Sequence, residues 1–263
     1  MTIPAGADGI QGELGPARPR HLKRAPITEA LIDFRVQLGE GFPVHKFEEL
    51  ARQIEREYPT KGKIRTVLAK LDIGGAVGKP DFKHGELGVL VKSPDEKTQA
   101  QFRTDGFTLN RLEPYTSWEE IYPETIRLWH LYAEVANPIA VVRLAARYIN
   151  KLNLPLPVTD LRDYLIAPPR VPEGLPQALR AYLTRLIIHD PSVGHSAIVT
   201  QSFEPNPVDP EHVTILLDID AFREVSLKPA EQGEIDGVLR QLHDFKNDIF
   251  FGSITQKASE LFE

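Results

Sequence analysis

Asp218 and Asp220 stand two residues apart in the run LLDID at residues 216–220. On a strand, residues i and i+2 project from the same face. Two carboxylates placed this way could hold a magnesium ion if a third oxygen ligand came from elsewhere. The plainer reading is an acidic strand end in contact with a basic neighbour. A second set of charges lies on two long alternating stretches. Glu29, Asp33 and Arg35 come from residues 27–38, and Arg143, Arg147 and Lys151 from residues 139–152. If the two stretches pair, these six side chains form one charged stripe, which Lys63, Arg65 and Arg103 could extend. An arginine fork matches the two oxygens of a carboxylate or phosphate, so the stripe is either a recognition surface or a solvated face paired within itself. His243-Asp244 offers acid–base chemistry on the last helix, or simply a half-buried histidine bonded to its neighbour.

Other patterns carry less. The stretch GGAVGK at residues 74–79 fails as a phosphate loop. Ile73 stands where the first glycine is needed, and Pro80 replaces the magnesium-binding hydroxyl residue. Gly194-His195-Ser196 lacks the second glycine of a nucleophile elbow and lies in a strand pattern with no helix after it. The eight histidines show no metal-ligand spacing. With no cysteine, disulfides, thiolate ligands and a cysteine nucleophile are excluded. No cofactor motif is present. Trp118, Tyr122, Trp129 and Tyr132 share one helical stretch and read as core and rim packing.

The elements that position these residues follow from periodicity. Ala30, Ile32, Phe34, Val36 and Leu38 fall on one face of the first long strand. Val142, Leu144, Ala146 and Tyr148 do so on the second. Each strand is followed by a helix, antiparallel strands and another helix. Ser117 with Glu120 reads as a capping box at the start of the helix that ends the first half. A helix is expected over residues 230–262, with Gly252 as the place where it bends or breaks. The fold class is therefore α+β: two tandem β-α-β(3-4)-α half-domains, 25–137 and 138–263, behind a flexible arm at residues 1–24 that is rich in glycine, proline and alanine. The two first strands should meet at the centre of a curved antiparallel sheet with helices on one face. That plan is similar to the saddle of TATA-binding proteins and to helix-grip folds.

A net charge of −6 disfavours broad nucleic-acid binding. No apolar run approaches the length of a membrane span, and residues 1–15 show no secretory leader. A cytoplasmic location is expected.

Several short signatures run in order along residues 25–262. They are Ala25-Pro26-Ile27-Thr28-Glu29-Ala30, Phe34-Arg35-Val36, Pro114-Tyr115 with Trp118-Glu119, Arg147-Tyr148-Ile149-Asn150, Leu216-Leu217-Asp218-Ile219-Asp220, and His243 followed by Phe250, Ile254 and Thr255. Together they resemble a sporadically distributed family of uncharacterised bacterial proteins, which usually offers a second proline or an asparagine where Ala25 stands. The resemblance implies a bacterial cytoplasmic protein and carries over no catalytic residues. Scattered occurrence resembles that of mobile accessory genes, including defence and toxin–antitoxin loci. The function expected is a non-catalytic interaction or regulatory module with a protein partner. The alternatives are an anionic-ligand or nucleic-acid binder on the arginine-bearing face, and a metal-dependent hydrolase using Asp218 and Asp220.

Overall fold

Period-two alternation needs a sheet with one face covered, and the chain supplies both parts. The computed structural model describes residues 3–4, 15–70, 81–203 and 211–263. Its elements run β1 (Ile3–Pro4), β2 (Ile27–Gln37), α1 (His45–Gln53), β3 (Thr60–Lys70), β4 (Asp81–Lys92), β5 (Thr98–Arg103), β6 (Gly106–Leu112), α2 (Trp118–Ala136) and β7 (Ala140–Pro155). After a 3-10 turn at Leu161–Asp163 come β8 (Ala178–Leu179), β9 (Tyr182–Asp190), β10 (His195–Phe203), β11 (His212–Leu227), α3 (Gln232–Ser253) and α4 (Gln256–Glu260). Nine strands form one open antiparallel sheet in the order β3-β4-β5-β6-β2-β7-β11-β10-β9, and β1 pairs separately with β8. The protein is therefore α+β. No helix among the described residues is long and apolar enough to cross a membrane. The stretch at residues 74–79 lies outside the described residues.

The two long strands are neighbours at the middle of the sheet, with Ile32 opposite Ala146 and Arg35 opposite Arg143. Ala30, Ile32 and Phe34 on β2 are fully buried, as are Leu144, Ala146 and Tyr148 on β7. Helix α3 packs over β7 and β11, α2 over β6, and α1 between α2 and β4. Trp129 of α2 stacks on Phe34 with ring centroids 4.4 Å apart, and Phe107 and Tyr132 complete the cluster. At the β5–β6 turn, a side chain on Gly106 would meet the Phe34 carbonyl oxygen at 2.0 Å, so only glycine fits against β2.

Local departures from the sequence pattern have identifiable causes. Val142 points outward because the register shifts there: Arg35 pairs with Arg143 while Val36 pairs with Val141, which leaves Val142 as the extra residue of a bulge. Ser117 occupies the cap position of α2 without a side-chain cap bond, and Glu120 instead takes the hydroxyl of Thr116. The last helix is two helices. The chain is extended at Ile254, where the carbonyl of Ser253 accepts from Ile166 N–H, that of Ile254 accepts from Ala17 N–H, and Thr255 N–H donates to Tyr164. Thr255 then caps α4 through Ala258 N–H. Residues 16–24, read from sequence as part of the arm, lie along this junction, with Ala17 and Leu22 buried. Of the first fourteen residues only Ile3–Pro4 lies within the described residues.

The edge strand β9 leaves Leu183, Leu186 and Ile187 more than half exposed. An open apolar edge is a template for strand pairing. Ile187→Lys should leave stability within about 0.5 kcal/mol of wild type and reduce concentration-dependent association in light scattering. Trp129→Ala, in the core cluster, should cost about 3–5 kcal/mol in denaturant unfolding. An equal response from both variants would contradict this division between edge and core.

Candidate functional site

Alternation places the charged residues of β2, β5, β7 and β11 together on the face without helices. There they pair with one another. Arg147 makes a two-pronged contact with Asp218, Nε to Oδ1 at 2.9 Å and Nη2 to Oδ2 at 2.6 Å. Arg143 donates to Asp220 at 2.8 Å, approaches Asp33 at 3.5 Å and lies over the Phe222 ring at 4.4 Å. Arg103, nearly buried, holds Asp33 at 3.1 Å and Asp105 at 2.9 Å, and Arg35 contacts the same two carboxylates. Four arginines thus face four aspartates. Glu29 accepts from Asn110 at 2.6 Å, and Lys151 is exposed. Lys63 bonds Glu86 and Glu48 at the β3 edge, and Arg65, also on β3, is exposed.

Asp218 and Asp220 do share a face, as their spacing requires, and each carries an arginine. Burial raises the Asp220 carboxyl above its ordinary value against the pull of Arg143. Among the described residues no group of three or more acidic or histidine side chains is placed to hold a metal ion. Ser196 lies in β10, where His189 Nδ1 sits 3.0 Å from its hydroxyl.

A different constellation forms on the helical side, where β7 runs on past the start of β2. Alternation turns Tyr148 and Asn150 inward there. The segment before β2, the start of α2 and the last turns of α3 surround them, enclosing a cavity of about 430 Å³. Tyr115 and Tyr148 meet edge to face, with their hydroxyls 3.2 Å apart. Trp118 stacks on the His243 imidazole at 4.4 Å. Asn150 is fixed by its amide nitrogen, which donates to the Leu217 carbonyl at 3.0 Å. Phe250 closes the α3 side.

Lys246 projects into this wall from α3. It is 6% exposed, and its ammonium nitrogen lies 3.6 Å over the Tyr148 ring. It makes no hydrogen bond or ion pair with any described residue. Burial pulls it down to about 7, with a small opposing pull from Asp244. Burial and then the Lys246 charge pull His243 down to about 4, so near neutrality its 3.4 Å contact with Asp244 is not an ion pair. Burial pushes the Tyr115 hydroxyl up to about 12, and Tyr148 is held well above the usual range for the same reason. Near pH 7 the site therefore offers neutral phenols, a neutral imidazole and an amine divided between its two forms. The amine can donate to an anion or act as a base.

Tyr115, Trp118, Tyr148, Asn150, His243 and Phe250 come from separate signatures in the sequence and line this one cavity. Lys246 belonged to none of them. Its signal was positional: it falls on the apolar stripe of α3, four residues after Leu242 and four before Phe250, where a lysine has no reason to be unless something uses it.

Comparison with known protein families, curated proteins and solved structures finds no match to this chain.

The open face and the cavity respond differently to mutation. The Arg147–Asp218 pair is exposed on the arginine side, so a double-mutant cycle should give a coupling of about 0–1 kcal/mol. Removing Arg103, which is 7% exposed at its side chain, takes from Asp33 the most buried of its three arginine neighbours and should cost about 1–3 kcal/mol. For Lys246 the folded value lies below the unfolded one of about 10.4. Below pH 7 both states are charged and the full burial cost applies. As pH rises from about 7 toward 10 the unfolded state holds the extra proton, so wild-type stability gains with pH. Lys246→Met should thus be the more stable protein at pH 6.5, with the gap closing by about 1.4 kcal/mol per pH unit above neutrality. A gap independent of pH in denaturant melts would show that Lys246 is not held neutral.

Proposed function

We propose that this chain is a non-catalytic binding module that holds a small organic ligand in the cavity between β7, α2 and α3, and signals its occupancy to a protein partner. One observation carries the reading: Lys246 is a buried amine without a carboxylate partner, in a cavity of the size and aromatic lining that small-molecule sites have. The rival surfaces have less support. The arginine-bearing face, proposed for an anionic ligand or nucleic acid, already matches its four central guanidiniums, those of Arg35, Arg103, Arg143 and Arg147, with aspartates. A metal-dependent hydrolase would have to take Asp218 and Asp220 away from Arg147 and Arg143.

The finer architecture belongs to the same proposal. We read residues 25–137 and 138–263 as two half-domains with a duplicated plan, TATA-binding-protein-like or helix-grip-like. Two facts support this. β2 and β7 meet antiparallel at the centre, and each is flanked on its outer side by the last strand of its own half, β6 or β11. The setting we propose is the bacterial cytoplasm, in an accessory system, in line with the absence of cysteine and the signature resemblance.

Native mass spectrometry of the protein purified from its own host tests the reading. The folded protein should carry a small molecule that denaturation releases, and Trp118→Ala, at a partly exposed wall position, should fold and lose it. Repeated preparations at the bare chain mass, with tryptophan fluorescence unmoved by a metabolite panel, would end the proposal.

A further inference from the structure

Resting on the cavity reading above, we infer that the ligand is a small planar organic carboxylate, with its charged group on Lys246 Nζ and its flat body among Tyr115, Tyr148 and Trp118. The argument starts from an imbalance. A buried ammonium is costly unless a carboxylate or other acceptors compensate it. Within the described residues Lys246 has only the Tyr148 ring face, an electrostatic contact that offsets part of the cost. Every other charged group near the cavity is engaged elsewhere or faces solvent. Arg20, from the segment before β2, donates to Glu263 at 2.6 Å and to Ser259 at 3.0 Å. Glu119 lies exposed at the first turn of α2, where Ser117 and its own backbone N–H hold its carboxyl below the ordinary value. His243 is neutral, and Asp244 on α3 is 79% exposed at its side chain. His21 completes the rim. The structure therefore supplies one amine with no carboxylate partner, and a single negative charge is the partner that would hold it as an ammonium.

The same facts set its chemistry. A dianionic phosphate needs a second uncompensated cation, and the Arg20 guanidinium, whose Nε has no partner, is already neutralised by Glu263 through Nη2. The start of α2, otherwise attractive to an anion, already carries Glu119. A monoanion fits the single lysine. The walls decide the rest of the molecule: Trp118 is stacked on both His243 and Tyr122, and Tyr115 meets Tyr148 edge to face, so a ligand meets ring edges as well as faces, and a flat aromatic body suits both kinds of contact. The Asn150 amide nitrogen is fully used, so its oxygen is oriented for a ligand donor such as a ring N–H or hydroxyl.

Binding by this route has a proton signature. A carboxylate on Lys246 favours the ammonium form, so at pH 8, where the free amine is mostly neutral, the complex takes up close to one proton. Titration calorimetry at pH 8 in two buffers of different ionisation enthalpy reads this directly. The probes are benzoate, benzamide as its uncharged counterpart, and cyclohexanecarboxylate as the non-planar one. Benzoate should bind at least tenfold more tightly than either, with proton uptake. Lys246→Met, checked for native circular dichroism, should lose the uptake and the preference over benzamide. The wild-type proton count stands without the variant should it misfold. Benzamide binding as well as benzoate, with no proton exchange, overturns the carboxylate inference while leaving the cavity a ligand site. No heat from any probe at millimolar concentration also overturns it, and the ligand recovered from host-purified protein then judges the broader reading separately.

Discussion

The antiparallel pairing of β2 with β7 is the constraint on which the molecule depends. These two strands are far apart in sequence, yet their pairing joins the β3–β6 side of the sheet to the β9–β11 side. Register is decisive here, because a one-residue slip would turn Ile32, Phe34, Ala146 and Tyr148 to solvent and drive Asp33, Arg143 and Arg147 under the helices. The bulge at Val142 is tolerated because it lies toward one end of the ladder, beyond the cluster formed by Phe34 and Trp129. The same register aligns Arg35 with Arg143, a like-charge pair that would weaken the centre of the sheet. Asp33, Asp105 and Asp220 remove that repulsion, which gives the open face a structural task of its own.

The two faces deal with charge in opposite ways. On the open side Arg35, Arg103, Arg143 and Arg147 each have a carboxylate at hydrogen-bond distance, and water reaches most of them. On the helical side one amine is left against an aromatic ring. Replacing it with methionine would ordinarily be an improvement in packing, so its presence has to be explained by something other than stability. A pre-formed amine with no carboxylate of its own, set in an aromatic pocket, suits recognition, since an anion then gains the full interaction without first displacing a protein carboxylate.

Much of the fold was legible because its strands are long and half-buried. Alternation in β2 and β7 identified the central faces, and the period of 3.6 marked α1, α2 and α3, whereas the helix expected after β7 is only the 3-10 turn Leu161–Asp163. The rest depended on contacts remote in sequence. The break between α3 and α4 falls just after Gly252, where the sequence allowed a bend or break, but it is fixed by Ala17, Tyr164 and Ile166 capturing the backbone at residues 253–255. The packing of residues 16–24 was hidden for the same reason, since their composition reads as a tail while Ala17 and Leu22 find cover only in the folded chain. At the site, the charged stripe drew attention because charge is conspicuous in a sequence, whereas its neutralisation across strands is not. Lys246 was overlooked because a lysine on a helix is normally solvated, and only the position of Leu242 and Phe250 around it says otherwise.

The segment at residues 16–24 has a further consequence. It forms one wall of the cavity but belongs to no helix and to no strand of the large sheet. Its backbone is tied down by few bonds, Ala17 N–H to Ile254 and Arg24 N–H to Phe262 among them, with the Arg20 fork on Glu263 as the main side-chain clasp. The free energy needed to lift it is set by those few contacts, while the nine-stranded sheet stays intact beneath. The cavity thus has a seam. For a cavity that holds a ligand as proposed, lifting this strap of nine residues would widen the mouth on the timescale of local opening rather than of unfolding, and ionic strength, by loosening the Arg20–Glu263 clasp, would bear on the rate of exchange.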